Sequence, residues 1–224
     1  MNIFFIRHGQ SEANLNGIIQ GQSDYPLSNL GKKQAMLVGE YFSNIPLDTI
    51  YSSDLSRAYE TAEAVAGAQG HSVKSEAVAE AQGHSVKTLT VLREVGLGPL
   101  EGVSRAELMS RYPLLKNNSI LTTGIEGTET LESITDRCKK VEQLLLQEAN
   151  ESNIGVVSHG GFISIFLMYL IAGDKWHDLN RPFVIGNTGI TKVELSQTGR
   201  SKFHYINRTS HLDDSRHERV EKAT

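Results

Sequence analysis

Two histidines stand directly beyond apolar runs. His8 closes IFFIRHG and His159 closes IGVVSHGG. A neutral imidazole is a nucleophile and proton carrier near pH 7. Each histidine is followed by glycine, which lets backbone approach a ligand closely. His159 also opens a helical pattern, whose free N–H groups and dipole favour an anion. Arg57, in SDLSRAYETA, lies in the first turn of another helical pattern, and Arg7 precedes His8. Two guanidiniums and two imidazoles on one spot would form a phosphate trap. Glu94, in VLREVGLGPLEG, adds a carboxyl group. Repulsion from a bound dianionic phosphate would favour its protonated form, able to donate to a leaving alkoxide and later to take a proton from water.

The elements that must position these residues alternate between strand and helix. Strands are expected at Asn2–Ile6, Asp48–Ser52, Thr88–Leu92 and Ile154–Ser158, and a hairpin at Gly189–Leu195 and Lys202–Asn207. Helices are expected over Ser28–Asn44, from Ser53 or Asp54 to about Ala66, from Thr128 onward with Leu131, Ile134, Cys138, Val141 and Leu145 on one face, and after His159. The pattern implies an α/β three-layer sandwich with a mostly parallel central sheet, helices on both faces and one antiparallel edge. In such sheets ligands gather beyond the carboxyl ends of the strands. The four chemical elements each come after a different strand. Singly each has a bland reading: RHG recurs by chance, Arg57 suits a helix surface, and Glu94 could pair with Arg93 or Lys87. Their conjunction points to a site.

The 224 residues, 39% hydrophobic and 21% charged, describe an ordinary globular chain. A net charge of -4 offers no broad basic field, which argues against a nucleic-acid partner. The apolar stretch Phe162–Ala172 is too short to cross a bilayer, so no membrane partner is expected. The single cysteine, Cys138, allows neither an intrachain disulfide nor a Cys-rich metal site and suits a reducing cytoplasm. A single domain over residues 1–210 is expected, followed by a charged, disordered tail over 211–224. Within it, residues 63–75 (EAVAGAQGHSVKS) and 76–88 (EAVAEAQGHSVKT) form a tandem 13-residue copy with two differences. The simplest reading is an insertion between helix and strand, with His71 and His84 solvated.

Taken together, Arg7-His8-Gly9, SDLSRAYETA, LREVGLGPLEG and SHGG resemble, in order, the histidine phosphatase superfamily in its phosphoglycerate mutase-like branch, from Asn2 to about Asn207. The resemblance implies that His8 becomes phosphohistidine, that Arg7, Arg57 and His159 hold the phosphoryl oxygens, and that Glu94 is the proton donor. It adds Asn14, Gln20, Gly21 and Gly160 to the phosphate-binding set. It implies hydrolysis of a small phosphate monoester without a metal or cofactor. His8 would be fixed in one tautomer by a backbone carbonyl near Gly9. A cofactor-dependent phosphoglycerate mutase is the alternative enzyme. Mutases of this family carry adjacent arginines and a longer capping segment, whereas residues 95–152 have scattered Arg105, Lys116 and Arg137 and one adjacent pair, Lys139-Lys140. A catalytically inactive interaction module is the alternative of another class. Removing one repeat copy shortens the Arg57–Glu94 interval from 37 positions to 24, close to the branch's spacing. Ser104, Arg105 and Tyr112, in a lid around Glu101–Asn118, are weaker substrate contacts, and helix surface is their simpler reading. Neither the natural substrate nor the oligomeric state is fixed by these residues.

Overall fold

The computed structural model describes residues 1–69, 86–116, 120–148, 153–180, 182–196 and 201–213. In chain order its elements are β1 (Asn2–Arg7), α1 (Glu12–Leu15), α2 (Asn29–Phe42), β2 (Thr49–Ser52), α3 (Ser56–Ala68), β3 (Lys87–Thr88), α4 (Arg105–Arg111), α5 (Leu131–Gln147), β4 (Asn153–Ser158), α6 (Gly160–Ala172), β5 (Ile190–Glu194) and β6 (Lys202–Arg208). The strands form one sheet in the order β3-β2-β4-β1-β5-β6. β1, β2, β3 and β4 run parallel, while β5 and β6 add the antiparallel edge. The expected α/β architecture is what forms.

Side-chain alternation along β1 divides the core. Ile3 and Phe5 pack into a cluster with α5 and α6, and Phe4 and Ile6 into one with α2 and α3. This is the period-2 signature of a sheet covered on both faces. α6 buries every residue from Phe162 to Tyr169, as expected of a helix apolar all round. No helix among the described residues is long and apolar enough to cross a membrane.

The register brings the strand ends level. Arg7 pairs with Ser158, Ser52 with Val157, and Thr88 with Ser52. The segments leaving these four strand ends therefore emerge along one rim of the sheet.

Several boundaries differ from the sequence expectation. The strand expected over Thr88–Leu92 stops at Thr88, and Thr90–Leu92 winds into a 3-10 turn. The physical reason is the end of β2. Leu89 N–H reaches the Ser52 carbonyl at 2.8 Å, and β2 ends there. Neither Ser53 nor Asp54 caps α3. That helix begins at Ser56, whose N–H and hydroxyl both donate to Asp24 from a distant loop, at 2.9 and 2.8 Å. α5 opens at Leu131 rather than at Thr128, with the Thr130 side chain accepting from the Ser133 N–H. At the C-terminal end, Ser210–Leu212 form a 3-10 turn. There His211 is 7% exposed, its ring 5.9 Å from that of Tyr41 and its Nε2 3.0 Å from Thr188 Oγ1. The tail expected to start at residue 211 is therefore ordered at its beginning, and residues 214–224 lie outside the described residues. So do residues 70–85, which hold most of the duplication together with His71 and His84.

Candidate active site

The level strand ends set the two histidines side by side. The rings of His8 and His159 lie 5.1 Å apart, centroid to centroid. His8 Nδ1 sits 2.6 Å from the Gly9 carbonyl oxygen. A carbonyl only accepts, so Nδ1 carries the proton and Nε2 presents a lone pair. Burial, then the charges of Arg7 and Arg57, hold the His8 pKa well below the ordinary histidine value and keep the ring neutral. His159 is fully buried, and its pKa is likewise held low, by burial first and then by His8, Arg57 and Arg7. Its Nε2 meets Ser53 Oγ at 2.9 Å, while its buried Nδ1 has no hydrogen-bond partner among the described residues. Ser53, expected to cap a helix, is thus turned to orient this ring.

Arg57 is the largest fully buried side chain of the described residues. Its Nη1 donates to the Ser23 carbonyl and its Nη2 to the Gly21 carbonyl, each at 2.9 Å. Arg7 Nη1 donates to the Ile185 carbonyl at 2.7 Å. The Nε atoms of both arginines are buried without a partner among the described residues. Each guanidinium is anchored by backbone carbonyls while part of its donor set stays uncommitted.

The loop that receives Arg57 is shaped by Glu101. Its carboxylate accepts the N–H groups of Gln22, Ser23 and Leu97 at 2.9, 2.8 and 3.0 Å, and the Ser23 hydroxyl at 2.6 Å. Burial alone would raise its pKa, but these hydrogen bonds outweigh that and hold it below the usual range. Gly21 has φ +51°, and a Cβ there would lie 2.1 Å from Glu101 Oε1, so only glycine fits. Asn14 and Gln20 join the same wall. Ser11 Oγ donates to Gln20 Oε1 at 2.7 Å, and Asn14 Oδ1 accepts the Ser11 N–H at 3.2 Å.

Glu94 takes a position unforeseen from the sequence. Its Oε1 accepts the N–H groups of Val95 and Phe162 at 2.9 and 2.8 Å, and its Oε2 accepts that of Gly161 at 3.0 Å. The amino end of α6 was expected to offer free N–H groups to an anion. Two of those groups instead hold this carboxylate, in the way an N-cap does. Gly160 lies against Arg7: a Cβ there would come 3.1 Å from Arg7 Nε.

Arg137 fixes the backbone of the Glu94 segment. Its Nη1 donates to the Arg93 carbonyl at 2.5 Å and its Nη2 to Glu129 Oε2 at 2.7 Å. Its guanidinium lies 4.5 Å from the ring centre of Phe162. Glu129 Oε2 also accepts the Gly96 N–H at 3.0 Å. Arg93 forks onto Asp54 at 2.7 and 2.5 Å. Sequence reasoning missed Glu101, Glu129, Arg137 and the Arg93–Asp54 pair, because each acts through partners distant in sequence.

These groups line a cavity of about 380 Å³. Of the nine candidate residues, Arg7, His8, Asn14, Gln20, Gly21, Arg57, Glu94 and Gly160 line it, and His159 is buried with its ring against that of His8. Of the weaker candidates, Arg105 reaches the cavity. Ser104 caps α4 instead, and Tyr112 packs against the small core of Leu100, Leu108 and Leu115. Among the described residues no three His, Cys, Asp or Glu side chains gather to hold a metal ion.

Residues 3–208 match the family model of the histidine phosphatase superfamily, branch 1. The chain belongs to the histidine phosphatase superfamily. Its curated relatives include a protein of Salmonella choleraesuis named "Probable phosphoglycerate mutase GpmB", 28% identical over 95% of each chain. A phosphoserine phosphatase from Entamoeba histolytica is 28% identical, with a TM-score of 0.70 over 95% of this chain and 99% of its own. A mycobacterial glucosyl-3-phosphoglycerate phosphatase is 26% identical, with a TM-score of 0.76 over 93% and 99%. Within this superfamily fold, the chain's two histidines, two arginines and carboxylate occupy one rim of the sheet.

Proposed function

We propose that this protein is a phosphoric monoester hydrolase that works through a phosphohistidine on His8 and needs no metal. The observation that carries the reading is the His8 ring itself. It is neutral, fixed by Gly9 in the tautomer that frees Nε2, and faces a cavity shared with Arg7, Arg57 and Glu94. Nε2 attacks phosphorus, the bond to the ester oxygen breaks, and protonated Glu94 gives its proton to the departing alkoxide. Water then attacks the phosphohistidine while Glu94 takes its proton, releasing orthophosphate and restoring His8. Arg7 and Arg57 supply the positive charge that a divalent cation supplies in other phosphoryl-transfer enzymes. The His159 Nδ1, without a partner among the described residues, is available to the phosphoryl group once it sits on the neighbouring ring. Asn14, Gln20, Gly21 and Gly160 complete the phosphate-binding wall.

The names of the curated relatives favour a second reading, a mutase that returns the phosphoryl group to another hydroxyl. One labelling experiment separates the readings. With a ³²P-labelled monoester, the chain should acquire acid-labile, alkali-stable label and release phosphate, and His8→Ala should do neither. Turnover that requires 2,3-bisphosphoglycerate and releases no phosphate would establish the mutase. Full turnover by His8→Ala would overturn both.

A further inference from the structure

His8 and His159 stand ring against ring, and both are held neutral at pH 7. A neutral imidazole carries one proton, so each ring has one nitrogen that donates and one that accepts. For His8 the Gly9 carbonyl decides which is which. For His159 the contact at Nε2 is a hydroxyl, Ser53 Oγ at 2.9 Å, and a hydroxyl serves in either sense.

The surroundings of Ser53 remove the choice. Its side chain is fully buried, so its hydroxyl proton needs a protein acceptor. Its Oγ already accepts the Leu55 N–H at 3.3 Å, and His159 Nε2 is the one acceptor that its proton reaches among the described residues. Were Nε2 to donate instead, two buried groups would go unpaired, the Ser53 O–H and the His159 Nδ1 lone pair. With the hydroxyl donating, only the Nδ1–H is left over. The arrangement with fewer orphaned groups is the more stable.

We infer that Ser53 is a positioning residue that holds His159 as its Nδ1–H tautomer, so that this ring gives a neutral hydrogen bond to the phosphoryl oxygens. The inference rests on the phosphatase reading above. The two imidazoles then carry their protons on the same nitrogen yet expose opposite groups, His8 a lone pair for phosphorus and His159 an N–H for oxygen. Beside Arg7 and Arg57, whose charges already bear on His159, that N–H has no acceptor until an anion arrives. Ser53 and His159 transfer no proton in the reaction; they aim one donor.

Two-bond ¹H–¹⁵N correlation spectra of the full chain, labelled with ¹⁵N-histidine, read the tautomer directly, with His159→Gln assigning the signals. The bare nitrogen of His159 should be Nε2, and inorganic phosphate should move the Nδ1–H proton downfield. Ser53→Ala should raise the phosphate inhibition constant and lower kcat/KM by about ten- to a hundredfold, the worth of one hydrogen bond to a charged group. The loss should be the same for ethyl phosphate and 2,4-dinitrophenyl phosphate, because the donor meets the phosphoryl group and not the leaving group. Ser53→Thr, which keeps the hydroxyl, should recover most of it. A bare Nδ1 in the unsubstituted protein would overturn the assignment while leaving the phosphatase reading intact, and that measurement needs no variant to fold. So would a folded Ser53→Ala enzyme with unchanged phosphate inhibition. Absence of hydrolysis and of His8 label for every ester would take down both.

Discussion

Arg7 and Ser158 are partners in the β1–β4 ladder, and the next residue along, His8, donates its backbone N–H to the Ser158 carbonyl at 3.0 Å. That register carries the two imidazoles to a 5.1 Å separation. A one-residue slip would turn His8 to the other face of the sheet.

The buried pair makes stability depend on pH in a defined sense. Both rings have pKa values well below 6.5 in the folded chain. Unfolded, they take up protons as pH falls past that value, while the native state does not. The unfolding free energy should therefore be flat above pH 6.5 and fall below it, by up to about 1.4 kcal/mol per pH unit for each histidine. Urea unfolding at pH 7.5 and 5.5 measures the loss, and His8→Gln with His159→Gln should reduce it. The acid limb of kcat/KM that reports His8 should lie on the acid side of 6.5. A limb at or above 6.5 would show that His8 is not held neutral.

In the proposed hydrolysis Glu94 joins chemistry to helix capping. Glu94→Gln keeps an acceptor for one of the α6 N–H groups but turns an amide NH2 toward another. Stability should drop by about 1 kcal/mol, as for other lost caps. Hydrolysis of alkyl phosphates should fall by about 10² to 10⁴, the usual contribution of a general acid. 2,4-Dinitrophenyl phosphate, whose leaving group needs no proton, should lose far less. Equal losses on both esters would remove Glu94 from proton transfer.

Arg137 touches the backbone of the Glu94 segment and does not line the cavity. Its partner Glu129 is as enclosed as the arginine, at 10% and 11% side-chain exposure. Arg137→Met leaves that carboxylate buried and should cost about 3–5 kcal/mol of stability, measured by urea unfolding. Adding Glu129→Gln should restore part of the loss, the coupling expected of a contacting pair. Arg137→Lys keeps the charge but not the fork that holds the Arg93 carbonyl. It should show the leaving-group dependence of Glu94→Gln in weaker form. A uniform loss on all esters would make Arg137 structural only.

The duplication can be removed in register. Deleting residues 63–75 places Glu76-Ala77-Val78-Ala79 where Glu63-Ala64-Val65-Ala66 now lie in α3, restoring the buried Val65 and Ala66 with identical residue types. The remaining Val86, Lys87 and Thr88 still lead into β3. A folded enzyme with unchanged kcat/KM is expected from thermal unfolding and steady-state assays. An inactive or unfolded product would show that the second copy has become part of the fold.

Much of the site was legible because its residues come directly after apolar runs that the sheet buries. Phe4 through Ile6 and Ile154 through Val157 announce strands, and a residue just past a parallel strand must stand at its carboxyl end. Thr88–Leu92 misled because a short apolar run has no periodicity to distinguish a strand from a 3-10 turn. Here the outcome is set by where β2 ends, far back in the chain at Ser52. The capping of α6 by Glu94 and the anchoring of the Gly21 loop by Glu101 were not legible either. Glu94 and Phe162 are 68 positions apart, and Ser23 and Glu101 are 78 apart. Nothing local marks these glutamates among the chain's acidic residues. His211 was hidden in a charged stretch by the same dependence on distant partners.

Arg57 is buried on the cavity wall, its guanidinium held by the Gly21 and Ser23 carbonyls and 4.0 Å from Asp24, with Glu94 and Glu101 also bearing on its charge. Burying a permanent cation is unfavourable until an anion meets it. The attraction does not distinguish an incoming ester from the orthophosphate left behind, since both present the same oxygens. If the proposed hydrolysis holds, the same charge should slow departure of the inorganic product, and added phosphate should compete with substrate for the cup in which it is made.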